Sequence, residues 1–208
     1  MKKKILAVVL AVVILAVAAI GATLAWLMDK TEAVVNTFTL GNVTISLVEH
    51  NADGDEVTAN EYKLIPGATY AKDPTVTVAG DSEACYLFIQ VDAAGAHADA
   101  LVYSVRQGEN GWTALPGVDN VYYREVAASD DDQSFLVLTG VEGDDDLADG
   151  KITISGDLTS GDIAEITDET KPTLSFTAYA IQSDNLTPAE GQSEVAYAWA
   201  LVSAVAEE

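Results

Sequence analysis

The residues best suited to acid–base or metal chemistry are two histidines, His50 and His97, and they belong to no HExxH pair. A helical zinc-hydrolase site needs two histidines four residues apart, so the sequence does not support one. A serine–histidine–aspartate triad would join residues that are distant in sequence, and no nucleophile motif indicates one. Glycine-rich phosphate loops are also missing from the sequence. We therefore predict no enzyme activity and no catalytic, cofactor-binding or metal-binding residue.

Three acidic clusters are the remaining candidates for binding a ligand. They are the cluster at residues 53–56, the triplet at 130–132, and the triplet at 144–146 with Asp149 and Gly150 after it. Loops rich in aspartate and glycine can supply the six to eight oxygens that calcium requires. None of them has the twelve-residue EF-hand spacing, so charged, solvated loop tips are the favoured reading and calcium is the alternative.

The overall charge excludes several classes of partner. The chain has 33 acidic and 10 basic residues, a net charge of −23. Without residues 1–25, which contain three lysines, the net charge is −26 (7 minus 33). Such a domain repels nucleic acids and anionic membrane surfaces. We therefore predict no nucleic-acid partner and contact with a membrane only through the N-terminal segment.

The N-terminus has the layout of an export signal. Three lysines at positions 2–4 precede an uncharged stretch, residues 5–28. A basic head, an apolar run and small residues near its end are typical of a secretory signal peptide. We predict cleavage after Ala25, with Ala22 and Thr23 as alternative sites. An uncleaved membrane anchor is the rival interpretation, because about 20 apolar residues can span a bilayer.

Cys85 is the only cysteine, so no disulfide can form within the chain. It lies in an apolar run, residues 84–89, and we predict that it packs as a small buried hydrophobic side chain rather than acting as a catalytic thiol.

Short segments rich in apolar residues, several of which alternate with polar residues, recur along the chain and predict strands. The segments are residues 38–40, 43–47, 75–78, 85–91, 101–105, 121–126, 135–138, 152–154 and 174–181. Turns are predicted at residues 51–56 and at Pro66-Gly67. Many short strands with turns between them predict an all-β, jelly-roll-like β-sandwich with minor helices, preceded by an N-terminal apolar signal helix.

Two of the strands have informative patterns. Residues 85–91 are apolar on both faces at first, which predicts a central, buried strand. In residues 174–181 one face carries the apolar row Leu174, Phe176, Ala178 and Ala180.

Helices are predicted at residues 159–166 and 193–205. In the second, Val195, Trp199 and Val202 recur at the spacing of one helix face, and Glu194 lies in the first turn, where the helix dipole favours an acid.

The segment GATLAWLMDKTEAVVNTFTLGNVTISL, residues 21–47, resembles the start of the TasA and camelysin family of secreted bacterial proteins. Two later blocks, residues 64–92 and 176–200, also resemble members of this family. The N-terminal features that carry the resemblance fall on Ala25, Trp26, Asp29, Asn36, Thr37, Phe38, Thr39, Gly41, Val43 and Ile45.

The resemblance implies a jelly-roll subunit of extracellular fibres in a bacterial biofilm matrix, trimmed by the signal peptidase SipW. In that family the freed N-terminal segment completes the sheet of a neighbouring copy. Residues 26–42 are then the candidate donor strand, with Val35 (or Val34), Phe38 and Leu40 as its apolar set, and residues 43–208 form the sandwich with a short C-terminal helix. The partner implied is another copy, in a filament.

Three alternatives stay open. Residues 33–47 could form an ordinary first strand of their own domain. The chain could be a membrane-anchored binding module at the cell surface, or a secreted metalloprotease like camelysin. If fibres do form, the negative charge opposes assembly, so we expect lower pH or calcium to favour it.

Cleavage gives the first testable outcome. N-terminal sequencing of the exported protein should begin at Trp26, because Ala25 offers the small residue that signal peptidases accept. A mature protein that begins at Met1 and stays with the membrane fraction would contradict cleavage and favour the anchored binding module.

Overall fold

The computed structural model describes residues 42–51, 53–108, 110–140 and 150–205. These residues form an all-β sandwich of antiparallel sheets with two α-helices among them, which confirms the predicted fold class. The predicted signal helix, residues 1–25, lies outside the described residues. No helix within the described part of the chain is long and apolar enough to cross a membrane.

Eleven strands appear in the described residues. In chain order they are β1 (Ile45–His50), β2 (Glu56–Val57), β3 (Thr69–Ala71), β4 (Thr75–Val78), β5 (Cys85–Ala94), β6 (Leu101–Val102), β7 (Thr113–Ala114), β8 (Val121–Val126), β9 (Gln133–Leu136), β10 (Lys151–Ile154) and β11 (Thr173–Gln182).

The strands form three sheets. The front sheet has the order β2-β1-β4-β9, the back sheet β11-β5-β8-β7, and the small sheet β3-β10-β6. β5 lies inside the back sheet, with β11 on one side and β8 on the other. Residues 85–89 of β5 are all buried, as expected for a strand that is covered on both faces.

The main core fills the space between the front and back sheets. Val76 and Val78 of β4 point inward on alternate positions and meet Leu87 and Ile89 of β5. The thiol of Cys85 belongs to the same cluster and is 1% exposed, which confirms its predicted packing role. Burial raises the pKa of this thiol to about 11, so it stays protonated at neutral pH.

The outer face of the back sheet is covered by α2 (Glu194–Val205). A second cluster of buried residues lies on this face of the sheet, and Val195, Trp199 and Val202 of the helix all pack against it. This confirms the predicted apolar face of the helix. The Trp199 ring lies 5.4 Å from the rings of both Phe88 and Tyr179, measured between centroids. The Trp199 side chain therefore connects the helix to both β5 and β11.

A third, smaller cluster joins the small sheet to α1 (Ser160–Glu165). The helix begins after Thr159, whose hydroxyl accepts the Asp162 N–H while the Asp162 carboxylate accepts the Thr159 N–H. This reciprocal pair satisfies two donors at the helix start and explains why so short a helix forms here.

The predicted element bounds hold closely for β4, β8 and both helices. β9 begins two residues earlier than predicted, at Gln133, and Val105 makes only an isolated bridge to Leu138. The predicted segment 43–47 becomes β1 (Ile45–His50), displaced toward the C-terminus. The segment 38–40 lies outside the described residues.

We predict that Trp199→Ala lowers the free energy of unfolding by about 3 kcal/mol, because it removes the aromatic contact between α2 and β5. Leu201→Ala on the same helix is the control: Leu201 is 39% exposed, and the expected change is below about 0.5 kcal/mol. Chemical denaturation of both variants measures the difference, and equal effects would contradict this account of how α2 is attached.

Candidate functional site

The strand β11 has an unpaired edge. All ten of its residues pair with β5, from Thr173 opposite Ala94 to Gln182 opposite Cys85. On its other side no strand lies within the described part of the chain. Its outward N–H and C=O groups therefore lack ladder partners among these residues, and such a row is a template for an added strand.

The other sheet edges in the described residues are short. β2, β6 and β7 have two residues each, β3 has three and β9 has four. Short edges are one way in which proteins prevent unwanted strand pairing. β11, with ten residues, departs from this arrangement.

The sequence of β11 does not protect its edge by other means. The strand reads TLSFTAYAIQ and contains no charged residue and no proline. Lysine and proline on an edge strand are common devices against pairing. Lys171 and Pro172 precede the strand but leave its ten residues open.

The inner face of β11 is apolar and only half-buried. Leu174, Phe176, Ala178 and Ala180 all pack against the main core, which confirms the predicted shared face. β1 contacts β11 across this face. The two strands thus form one side of the sandwich, where a further strand would find both backbone partners and apolar contacts.

A cavity of about 720 Å³ opens on this side, at the Thr173 end of β11. β1 and the start of β11 line it, together with Ile152 and Ile154 from the small sheet. The segment 57–64, between β2 and β3, forms a further wall. We call this cavity, together with the free edge of β11, the β11 groove.

A buried ion pair lies in the wall of the groove. The Lys72 ammonium donates to both carboxylate oxygens of Glu49, at 2.8 and 3.0 Å. The two side chains are 8% and 10% exposed. The amide of Asn60 donates to the same carboxylate at 3.1 Å, and the Phe176 ring centroid lies 5.3 Å from the Lys72 nitrogen. The pair therefore ties β1, the 57–64 segment and β11 together.

Tyr62 fastens the 57–64 segment to the small sheet. Its hydroxyl donates to the Ala71 carbonyl at 2.9 Å, and its ring lies 5.5 Å from the Lys72 nitrogen. Burial, reinforced by the negative charges of Glu49 and Asp73, raises the pKa of Tyr62 to about 12. The hydroxyl thus remains a donor across the physiological pH range.

The residues predicted to act in assembly, Ala25, Val35, Phe38 and Leu40, lie outside the described residues. The first described residue is Asn42, whose carbonyl accepts the Glu83 N–H at 3.0 Å. The Thr44 carbonyl accepts the Ala79 N–H at 2.9 Å, and β1 then pairs with β4. Residues 42–47 therefore form hydrogen bonds within their own domain. For these residues, this agrees with the alternative that residues 33–47 are an ordinary first strand of their own domain.

In the acidic clusters at residues 53–56 and 130–132, the structure shows hydrogen bonds between side-chain oxygens and backbone N–H groups. The side-chain oxygen of Asn51 accepts the Asp53 and Asp55 N–H groups. The Asp132 carboxylate accepts the Gly80 N–H at 2.7 Å. The third cluster, residues 144–146, lies outside the described residues.

The two histidines are not brought together with a metal-binding set. Nδ1 of His50 lies 2.6 Å from the Asp73 carboxylate, which also accepts the His50 N–H. His97 precedes a short 3₁₀ turn elsewhere in the chain. Within the described residues no three His, Cys, Asp or Glu side chains lie close enough to hold a metal ion.

Glu49 and Lys72 were not singled out from the sequence, because they are 23 residues apart and have no local motif. Arg106 and Arg124 were missed as well, although a signal existed: they are the only two arginines in a strongly acidic chain. Both line a second cavity.

The ion pair predicts a non-additive mutational response. Lys72→Met should destabilise the protein by about 3–5 kcal/mol, because it leaves a buried carboxylate unpaired. The double variant Glu49→Met with Lys72→Met should recover most of this loss, since an apolar pair of similar volume is often neutral or better. Denaturation of the two singles and the double measures the coupling, and simple additivity would show that the pair is not a unit.

Comparison of the chain with family models, with curated proteins and with solved structures gave no match. The resemblance to the TasA and camelysin family therefore remains an interpretation of the residues quoted above. The geometry of the β11 groove is the structural basis for the function proposed below.

Proposed function

We propose that this chain is an exported bacterial matrix subunit that assembles into filaments by strand addition. The N-terminal segment of one copy, residues 26–41, pairs with the free edge of β11 in the next copy. The observation that carries the proposal is the unprotected ten-residue edge of β11, which carries a half-buried apolar row beside the groove. Head-to-tail contacts of this kind do not close on themselves, so they extend into filaments.

The first contribution is backbone hydrogen bonding. An edge strand directs about half of its N–H and C=O groups outward, which for ten residues gives about five of each. An added strand satisfies these groups and gives affinity, while pockets for its alternate side chains give specificity.

The second contribution is apolar burial. Leu174 and Phe176 are half-buried beside the 720 Å³ cavity. An incoming strand with apolar residues on alternate positions would cover them. Strand geometry places Phe38, Leu40 and Val34 on one face and Val35 on the other, so Val34 fits the groove-facing set better than Val35.

The direction of β11 favours an incoming segment from another molecule. Gln182, its last residue, lies opposite Cys85, at the end of the sandwich where the chain continues from Asn42 beside Glu83. If the residues before Asn42 ran straight along β11 of their own copy, they would pair parallel to it. A second copy can supply it antiparallel, which is the more stable pairing.

The net charge of the chain determines the solution conditions under which copies assemble. The mature chain carries −26, and this repulsion acts between all copies. β11 itself is uncharged, so the repulsion comes from the surrounding surface, where acid or salt reduces it.

One observation favours a second candidate, the cell-surface binding module. A cavity of 720 Å³, lined by apolar side chains together with polar and charged ones, has the size of a small-ligand site. In that function the groove would hold a small molecule and the N-terminal segment would remain as the anchor.

The central prediction compares two variants of the mature protein, residues 26–208. Phe38→Asp should prevent filaments, because it places a charge where the strand enters an apolar groove; the loss of burial alone is about 1.5–3 kcal/mol, or at least tenfold in critical concentration. Thr39→Asp adds the same charge on the opposite face of the strand and should assemble. Negative-stain microscopy at reduced pH and with added calcium measures both.

Two results would contradict the proposal. One is the absence of elongation by the unmodified mature protein at any pH or calcium concentration. The other is filaments of the Phe38→Asp variant that match those of Thr39→Asp in abundance and length.

A further inference from the structure

A second cavity, of about 360 Å³, lies on the side of the sandwich opposite the β11 groove. It is lined by β8 and β9 and by the residues near Asn110. Both arginines of the chain, Arg106 and Arg124, contribute to its lining. A protein with 33 acidic residues thus has both of its arginines among the residues that line one cavity; we call this cavity the arginine pocket.

Arg124 is held in a defined position. It lies opposite Leu87 in the ladder between β8 and β5, so its side chain faces the interior of the sandwich. Its guanidinium carbon is 3.6 Å from the Phe135 ring centroid and 5.8 Å from that of Trp112. The Trp112 ring is fixed in turn by its N–H bond to the Leu136 carbonyl, at 3.0 Å. Stacking therefore orients the guanidinium before any ligand arrives.

The hydrogen-bonding capacity of Arg124 is mostly unused. A guanidinium has five N–H donors. The described residues offer it one acceptor, the Asn110 carbonyl, at 3.4 Å from an Nη atom. Its Nε is enclosed and has no acceptor there. Within the described chain no carboxylate lies within 4 Å of either arginine. Burial lowers the pKa of Arg124.

We propose that the arginine pocket binds a carboxylate group. Guanidinium and carboxylate match in shape and form two parallel charge-assisted hydrogen bonds. Arg124, stacked on Phe135, supplies the fixed donor, and Arg106 supplies a second positive charge at the same cavity. A role in packing alone would require only Arg124 and would leave the presence of Arg106 unexplained.

The carboxylate can come from two sources. One is an acidic side chain of another copy of this chain, and the other is a small free carboxylate from outside the cell. The same two arginines recognise both. The inference does not depend on filament assembly, because the arginine pocket and the β11 groove share no lining residue.

The experiment uses the mature protein and sodium glutarate as probe, at constant ionic strength, with neutral glutaramide as the matched compound. Amide chemical shifts measured by NMR report binding. Glutarate should shift signals of residues around the pocket, such as Asn110 and Ser134, and glutaramide should not. Arg106→Gln should weaken glutarate binding about tenfold, the usual effect of losing a charged hydrogen-bond partner. Lys151→Gln removes one positive charge at a position that lines neither cavity and should leave binding unchanged.

Arg124→Lys is the second variant, since it keeps the charge but loses the planar fork. It should also weaken glutarate binding, and its thermal unfolding shows whether it is folded. The proposal is overturned if glutarate produces no shifts, if glutaramide produces the same shifts, or if Arg106→Gln and Lys151→Gln bind glutarate equally well.

Two further arms identify the source of the carboxylate. One experiment is sedimentation of the unmodified protein. Self-association that is reversed by glutarate or by Arg106→Gln assigns the carboxylate to another copy. Glutarate binding to a protein that stays monomeric assigns it to a free ligand. Glu109, outside the described residues, is tested by Glu109→Gln: if only this variant binds glutarate, the chain's own acid occupies the pocket and the proposal fails.

Discussion

The free edge of β11 is the constraint on which this account depends. Backbone N–H and C=O groups must be satisfied by protein or by water, and a long apolar strand at the rim of a sheet is costly to leave uncovered. In the described residues the other edge strands have two to four residues, whereas β11 presents ten uncharged ones beside a half-buried apolar row. A partner strand resolves both demands together, since it brings hydrogen bonds to the edge and side chains to the groove.

The two sides of the sandwich differ in chemistry although one core supports both. On the β11 side the charges of Glu49 and Lys72 neutralise each other inside the wall, so the groove remains suited to apolar side chains. On the β8–β9 side Arg124 stacks on an aromatic ring without a carboxylate in the described residues. We propose that one side binds a strand and the other an anion, which gives an acidic chain two independent ways to contact its own copies.

Local patterns predicted the elements whose side chains alternate between core and solvent. β4 and α2 followed directly, because their apolar residues recur at the period of a strand or a helix. β2, β3 and β7 have only two or three residues, too few for a period, and exist because a neighbouring strand pairs with them. The Glu49–Lys72 pair and the arginine pocket join residues far apart in sequence, so only the sheet register reveals them. The apolar row of β11 was predicted, but its position at an edge was not, since strand order is a property of the whole fold.

Amide hydrogen exchange along β11 tests the central claim most directly. The protein that begins at Asn42 would be measured by NMR with and without a peptide of residues 26–41. The account predicts that alternate amides between Thr173 and Gln182, those that point away from β5, exchange rapidly in the shortened protein and become protected when the peptide is added. Equal protection of all the β11 amides without the peptide, or no change when it is added, would contradict the account.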